Sequence, residues 1–166
     1  MTPPTQQMQL QGSGAHSNQE FVLWAKGEEM PLTEQGVVDA IETWLTASGY
    51  SEVKAIKAGA RGYDVVARRE DTGERWLIEA KGGAYSGADT SNDAWSRTGA
   101  AFLMTAGWRF QKDIPGERFA IGIPSSRWFD IHLGRISPAL EYLGISVFQV
   151  SDDGRVTFTE NCPRTE

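Results

Sequence analysis

Hydrophobic residues recur with the spacing of a helix in some segments of the chain and with the pattern of strands in others. In residues 33–48 the apolar positions recur every three or four residues, as they do on one face of an amphipathic helix. Thr33 is suited to cap the first turn, and Glu34 follows it where the helix dipole favours an acid. Gly49 is suited to end the helix, because glycine adopts a left-handed conformation without strain. The apolar residues of the predicted buried face are Val37, Val38, Ile41, Trp44 and Leu45.

A run of strand-like segments follows this helix. Three of them cover residues 51–58, 63–68 and 75–81. A fourth strand is predicted at residues 119–123, where the apolar run is short. Residues 152–154 (Asp-Asp-Gly) are a turn signal that joins two further strands, at residues 145–150 and 156–158, into a hairpin.

Two more helices are predicted, one at residues 92–107 and one within residues 127–143. In the first of these, several apolar or small residues fall on one side, which we expect to pack on the sheet. They are Trp95, Gly99, Phe102, Leu103 and Ala106. The element order is therefore αβββαβ followed by αββ, which predicts an α/β (α+β) fold with a mixed central sheet flanked by helices.

The composition favours one folded domain. The chain has 166 residues, of which 40% are hydrophobic, and this is enough for a sizeable core. We expect a flexible tail at residues 1–18, a single domain at residues 19–160 and a short polar end. No stretch approaches the ~20 apolar residues of a membrane span, and the first residues lack the features of a secretory signal. The sequence therefore predicts a cytoplasmic protein with no membrane partner.

Cysteine, histidine and net charge limit the kinds of site. The single cysteine, Cys162, excludes an internal disulfide and a cysteine-based zinc cage. Only two histidines are present; His16 lies in the predicted tail, and His132 is interpreted as a packed or surface residue. The net charge of −6 argues against a broad basic face for long nucleic acids. This net charge is compatible with a local cluster of carboxylates that binds a cation.

The most informative segment is the hairpin of the second and third predicted strands, which residues 71–73 (Asp-Thr-Gly) connect. If the turn is symmetric, Val66 and Leu77 face each other on one side. The pairs on the opposite, equally apolar side are Val65 with Ile78 and Ala67 with Trp76. A slip of one residue would break both this pairing of apolar residues and the alignment of the charged residues described next, so the two patterns together favour this register.

The same register gathers three charged residues. Asp64 lies directly across from Glu79, where opposed Cβ atoms are ~5 Å apart. Lys81 points to the same side as Glu79, because side chains alternate along a strand. Two carboxylates at this spacing repel each other unless a cation lies between them, and Mg²⁺ takes oxygen ligands. We therefore predict a Mg²⁺ site, in which Mn²⁺ can substitute, with the backbone carbonyl of Ala80 as a further ligand.

This set of groups is suited to attack on a phosphate. A bound metal ion acidifies a water molecule and neutralises negative charge on the phosphate. A neighbouring lysine can orient that water or stabilise the charge that develops. Gly82 and Gly83 follow directly and would allow a backbone or a substrate to approach closely.

The sequence of this hairpin resembles the signature of a known superfamily. Residues 62–64 (Gly-Tyr-Asp), followed by an apolar strand that ends in residues 78–82 (Ile-Glu-Ala-Lys-Gly), are similar to the motif of the PD-(D/E)XK, or restriction-endonuclease-like, nucleases. Tyr63 stands where that motif has proline. The αβββαβ core of the superfamily is similar to the element order predicted here for residues 33–123.

The resemblance implies a role for each residue of the hairpin. Asp64, Glu79 and Lys81 would form the catalytic centre, with the two acids as metal ligands. The implied activity is metal-dependent hydrolysis of phosphodiester bonds, in DNA more than in RNA.

The resemblance also points to residues outside the hairpin. Many members carry a further acid on the first helix, and Glu34 is the candidate because it shares a face with buried residues. Asp39 and Glu42 are its rivals. Basic or amide residues on the second helix often contact the substrate in the superfamily, and Arg97 is the best match here. Arg61 is a second candidate for a nucleic-acid contact.

Each of these residues also has an ordinary structural interpretation. Asp64 could end a strand, and Glu79 with Lys81 could be an exposed cross-strand charge pair. Glu34 could be a helix N-terminal acid, and the two arginines could be surface residues. The joint pattern favours chemistry, because charges at the end of strands that are apolar on both faces need another reason.

Three functions are consistent with the sequence. The first is a metal-dependent nuclease, which the acid–acid–lysine set favours. The second is a catalytically silent subunit of the same fold that binds nucleic acid or assembles with other proteins, which the acidic balance favours. The third is an accessory factor that binds neither metal nor nucleic acid. The expected partners are nucleic acid, DNA first, and another protein or a second copy of the chain.

Overall fold

The computed structural model describes residues 32–55, 62–83, 90–111 and 116–162. These ranges contain three helices and six strands. None of the three helices is long and apolar enough to cross a lipid bilayer. In chain order the elements are α1 (Glu34–Ala47), β1 (Lys54–Ala55), β2 (Val65–Arg68), β3 (Arg75–Ala80), α2 (Ser91–Gln111), β4 (Glu117–Pro124), α3 (Arg127–Leu143), β5 (Ile145–Val150) and β6 (Val156–Thr159). The predicted order of elements is confirmed.

The strands form one mixed sheet whose order, β1-β2-β3-β4-β5-β6, follows the order of the chain. β1, β2 and β3 are antiparallel neighbours, as are β5 and β6. β3, β4 and β5 are parallel. Parallel neighbours need a crossover connection, which α2 provides between β3 and β4 and α3 provides between β4 and β5. The predicted class, a mixed sheet flanked by helices, is confirmed.

A separate core lies on each face of the sheet. The core on the α1 side includes Ile41, Leu45, Val65, Ile78 and Phe148. The core on the side of α2 and α3 includes Leu77, Ala101, Ile121, Leu140 and Val147. β3 contributes to both, and every residue of it from Trp76 to Ala80 is buried. Glu79 is therefore an acid within a strand that protein covers on both faces.

The ends of α1 follow from the residues that flank it. The Thr33 hydroxyl accepts the Gly36 N–H at 3.1 Å, and Gly49 adopts a φ of 88° just after the helix ends. Both terminal signals are confirmed. The helix lies close to the sheet because Gly122 of β4 has no side chain: a Cβ there would be 2.4 Å from the Ile41 side chain.

The register of the predicted hairpin is confirmed. Val65 pairs with Ile78, Val66 with Leu77 and Ala67 with Trp76. β2 begins at Val65, two residues later than predicted. The first strand is shorter than its prediction at residues 51–58, since only Lys54–Ala55 are paired and both are exposed. Residues 56–61 lie outside the described ranges.

The prediction for the buried side of α2 is wrong in part. Trp95 and Leu103, expected to pack on the sheet, are 48% and 70% exposed. Phe102 does pack against the core on that side of the sheet. The residues that α2 buries are Ala94, Thr98, Ala101 and Thr105. The helix has apolar residues on both sides, and the side with the smaller side chains lies on the sheet, where they allow a close approach.

Candidate active site

Four charged residues from three elements meet at the carboxyl end of β3. Glu79 is near the end of the strand and Lys81 follows it; Asp64 directly precedes β2, and Glu34 is the first residue of α1. The Lys81 Nζ atom lies 2.7 Å from Glu79 Oε1, 3.6 Å from Glu34 Oε2 and 3.8 Å from Asp64 Oδ2. It also donates to the carbonyl of Ala80 at 2.8 Å. One ammonium group therefore contacts three carboxylates and a carbonyl.

Asp64 is held by the backbone of the neighbouring strand. Its N–H donates to the carbonyl of Ile78 at 3.0 Å, and its Oδ2 atom accepts the N–H of Ala80 at 2.7 Å. The Tyr63 ring packs edge-on against Trp108 of α2, with ring centroids 4.1 Å apart. These contacts hold the carboxylate beside β3 although Asp64 itself is not part of a strand.

Glu34 reaches the site because the chain that enters α1 crosses the end of β3. The N–H of Gly83 donates to the carbonyl of Leu32 at 2.7 Å. A Cβ on Gly82 would lie 2.0 Å from the N atom of Glu34 and 2.5 Å from the carbonyl carbon of Thr33. The close approach predicted at this glycine pair is thus the approach of the α1 backbone.

Replacing Gly82 by Ala should therefore destabilise the protein. The new methyl group meets backbone atoms, so the first turn of α1 must move away, at a cost of about 1–3 kcal/mol. Urea unfolding would measure this loss. Gly134→Ala in α3 is the matched control, since a Cβ there meets no atom within 4 Å in the described ranges of the chain. Equal stability of the two variants would contradict the close approach.

Glu79 is the most buried charged group of the site. It is 2% exposed, and burial raises its pKa to about 7 from an ordinary value of 4.5. The Lys81 ammonium opposes this rise, whereas the Asp64 carboxylate adds to it. Among the described residues, the Glu79 Oε2 atom has no hydrogen-bond partner. A buried acceptor without a partner is costly, so this oxygen is open to a ligand.

Lys81 remains protonated in this surrounding. Burial alone would lower its pKa, but the hydrogen bond to Glu79 and the charges of Glu79, Asp64 and Glu34 outweigh it. Its pKa is therefore raised above 10.5. At neutral pH the site therefore holds the positive charge of Lys81 among three acids. One of these acids, Glu79, has a pKa close to this pH.

Without divalent cations, the free energy of unfolding should fall as pH rises from about 4.5 to about 7. In this window the folded protein holds a proton on Glu79 that the unfolded chain has released, so raising the pH favours unfolding. One pKa unit corresponds to about 1.4 kcal/mol, and the total loss is roughly 3 kcal/mol. Urea titrations in EDTA across this range would measure it.

The Glu79→Gln variant should lack this loss, because glutamine does not titrate. The stability difference between variant and unmodified protein should therefore grow with pH up to about 7. Asp39→Asn, at an exposed acid on α1, is the matched control and should keep the slope. Parallel curves for Glu79→Gln and the unmodified protein would contradict the assignment.

The donor atoms suit a hard divalent cation, with one rearrangement. Carboxylates and a backbone carbonyl are the ligand types that Mg²⁺ and Mn²⁺ take. The Glu79 Oε2 atom, which has no hydrogen-bond partner among the described residues, is available as a metal ligand. Within the described ranges, no group of three or more acid, histidine or cysteine side chains is already spaced to hold a metal ion. The Lys81 ammonium lies among the carboxylates, so a cation shared by Asp64, Glu79 and Glu34 requires Lys81 to turn aside.

Comparison with models of known protein families gives no match, and comparison with curated protein sequences gives none either.

The remaining candidates are placed differently from one another. Of the three acids considered on the first helix, Glu34 alone forms an ion pair with Lys81 in the described structure. Asp39 is exposed and accepts a hydrogen bond from Gln35, and Glu42 is half-buried further along the helix. Arg97 is half-buried on α2 rather than fully solvent-facing. Arg61 lies outside the described residues.

Sequence reasoning did not identify Gly122 as a positioning residue of the site. The carbonyl of Gly122 accepts the N–H of Lys81 at 2.8 Å, which aligns the end of β3 with β4. Ser91, the first residue of α2, contacts His132: the histidine Nε2 is 2.9 Å from the Ser91 carbonyl oxygen. His132 is 3% exposed, so its interpretation as a packed residue is confirmed. The signal for Gly122 is a glycine within a buried strand, which often marks a close approach.

Proposed function

We propose that this chain is a metal-dependent nuclease of the PD-(D/E)XK, restriction-endonuclease-like class, with DNA as its first expected substrate. The observation that carries the proposal is the buried Glu79 carboxylate, with one oxygen bound to Lys81 and the other without a partner among the described residues. Burying an acid in a doubly covered strand costs stability. A binding role for that oxygen explains why the cost is tolerated.

The order and pairing of the elements support the class. The chain from α1 to β4 has the αβββαβ order that the resemblance implies. The charged residues of the motif lie where the antiparallel pair β2–β3 meets the parallel pair β3–β4, at the end of the central strands. This end of the sheet is also where α1 begins, which brings a third acid to the site.

Each residue has a distinct proposed role. Asp64, Glu79 and the Ala80 carbonyl would hold the cation, and Glu34 would be an additional ligand. A bound Mg²⁺ or Mn²⁺ ion would supply an acidified water molecule and neutralise charge on the phosphate. Lys81, protonated at neutral pH, would turn from the acids toward the substrate and stabilise the negative charge of the transition state. Arg61 and Arg97 stay proposed phosphate contacts.

A second candidate function is a silent subunit of the same fold. It is favoured by the position of Lys81, whose ammonium already balances part of the acid charge without a cation. It is also favoured by the net charge of −6, which weakens attraction to nucleic acid. In this case the charged cluster would serve stability alone.

The test is a cleavage assay combined with calorimetry on the full chain. Plasmid, linear and single-stranded DNA and RNA are incubated at low salt with Mg²⁺, Mn²⁺ or EDTA. The nuclease proposal expects cleavage that EDTA abolishes, and metal binding that Glu79→Gln weakens while Asp39→Asn does not. Binding to nucleic acid without cleavage would support the silent subunit. Binding to neither metal nor nucleic acid would overturn both and favour an accessory factor.

A further inference from the structure

The exposed residues of α2 carry no charge and include several large apolar side chains. The helix is described throughout, and none of its exposed residues is charged. Four of them are large and apolar: Trp95 at 48%, Leu103 at 70%, Met104 at 43% and Phe110 at 77% exposed. Scattered apolar residues are normal on protein surfaces, but a continuous apolar surface marks an interaction site. We call the exposed side of α2 from Trp95 to Phe110 the α2 outer face.

Two glycines in this face are open toward the outside. Among the described residues, a Cβ added at Gly99 or at Gly107 would meet no atom within 4 Å. Glycine inside a helix costs about 1 kcal/mol relative to alanine. Such glycines allow another backbone to come close, and they lie beside the large exposed Leu103. The face thus combines a protruding side chain with gaps on both sides of it.

The residues of the face are spaced so that two antiparallel copies complement each other about Leu103. Gly99 lies four residues before Leu103 and Gly107 four residues after it. At seven residues on either side stand the small Ser96 and the large Phe110. When two such helices cross antiparallel at Leu103, each Gly99 meets the Gly107 of the other copy, and each Phe110 lies over a Ser96. A two-fold axis brings the same surface of both copies together, which is the geometry of an isologous dimer.

We propose that the α2 outer face binds the same face of a second copy of this chain, with the two helices antiparallel and the two-fold axis at Leu103. None of the exposed residues of the face offers a positive charge to a nucleic acid, because Arg97 and Arg109 of α2 are half-buried, so a nucleic acid is a poorer occupant than a second copy. The exposed residues also bring no like charges together, although each chain carries a net charge of −6. Complementary pairs of large and small residues arise between two copies without any other protein.

The proposal does not rest on the proposed nuclease function, and association can be measured without it. Sedimentation velocity and light scattering of the full chain over a range of concentrations should show a monomer–dimer equilibrium. Leu103→Glu places two carboxylates against each other at the axis, so the dissociation constant should rise by about 100-fold or more. Leu103 is 70% exposed in one chain, so the fold should tolerate the change.

The Gly99→Leu substitution distinguishes an effect on association from an effect on folding more clearly than Leu103→Glu does. The new side chain meets no described part of its own chain and improves helix propensity, so the melting temperature of the monomer at low concentration should stay the same or rise. Between copies it fills the gap needed by the other helix, and association should weaken by about 10-fold or more. Gly134→Leu, at an equally open glycine of α3, is the control and should leave association unchanged.

Cross-linking tests the axis and the antiparallel direction. In a Cys162→Ser background, a Leu103→Cys substitution should allow a short bismaleimide to link two copies. A Phe110→Cys substitution should not, because the two positions lie about 21 Å apart along antiparallel helices. A monomer at every concentration would overturn the proposal. So would a dimer that survives both Leu103→Glu and Gly99→Leu, or that cross-links through position 110 and not through 103.

Discussion

Replacing Lys81 by Ala is expected to lower the rate of DNA cleavage by about 100-fold or more while leaving Mg²⁺ affinity equal or higher. The loss of rate is on the scale seen when one preorganised electrostatic donor is removed from a transition state. The gain in affinity has a structural cause. The ammonium contacts the carboxylates of Glu79, Glu34 and Asp64 within 3.8 Å, so it competes with a cation for the same oxygens.

Single-turnover cleavage and calorimetric Mg²⁺ titration of the same preparations would measure both effects. Lys54→Ala, at an exposed lysine of β1, is the matched control and should change neither quantity. Full activity in Lys81→Ala would remove this cluster as the catalytic centre. Lower activity together with weaker metal binding would show that the ammonium supports the cation site instead of competing with it.

Replacing Asp64 by Asn should abolish cleavage and weaken Mg²⁺ binding together. The substitution removes a negative charge that the cation needs, because Mg²⁺ prefers anionic oxygen ligands. It preserves shape, and an amide oxygen can still accept the N–H of Ala80, which the carboxylate now accepts at 2.7 Å. The fold should therefore persist while the chemistry is lost.

Circular dichroism and urea unfolding would establish that Asp64→Asn is folded before its activity is compared. The Asp39→Asn variant makes the same chemical change at an exposed position of α1 and should retain cleavage. The two site variants then differ in metal affinity and agree in lost activity. If Asp64→Asn binds Mg²⁺ as well as the unmodified protein does, Asp64 is not a ligand.

The hairpin could be predicted from the sequence because the period of a strand is two. The symmetric turn at residues 71–73 predicts one register for β2 and β3, in which the apolar residues pair and Asp64 lies across from Glu79. Helix α1 could be predicted for a similar reason. Thr33 caps its first turn, Gly49 follows its end, and its apolar residues between them lie on one face. In both cases neighbouring residues carry the whole signal.

The position of Glu34 could not be derived in the same way. It depends on the contact of Gly82 with the backbone of α1, between residues far apart in the chain. The orientation of α2 could not be derived either, because Trp95 and Leu103 give one side of the helix a stronger hydrophobic signal than its buried alanines and threonines. Hydrophobicity shows which residues avoid water, but it does not show whether the same chain covers them.

The strands lie in the sheet in the same order as in the chain, and this order determines which contacts of the site can form first during folding. The β2–β3 pairing joins residues as close as Arg68 and Arg75, whereas the β3–β4 pairing begins with Arg75 and Glu117. Local contacts close quickly, and distant ones carry a larger entropic cost and form later. The charged residues of the cluster all lie in the first half of the chain, yet Lys81 is aligned by Gly122. We therefore expect the hairpin to bring Asp64 and Glu79 together first, whereas the contacts that place Glu34 (through Gly82) and Lys81 (through Gly122) join residues far apart in the chain and form later.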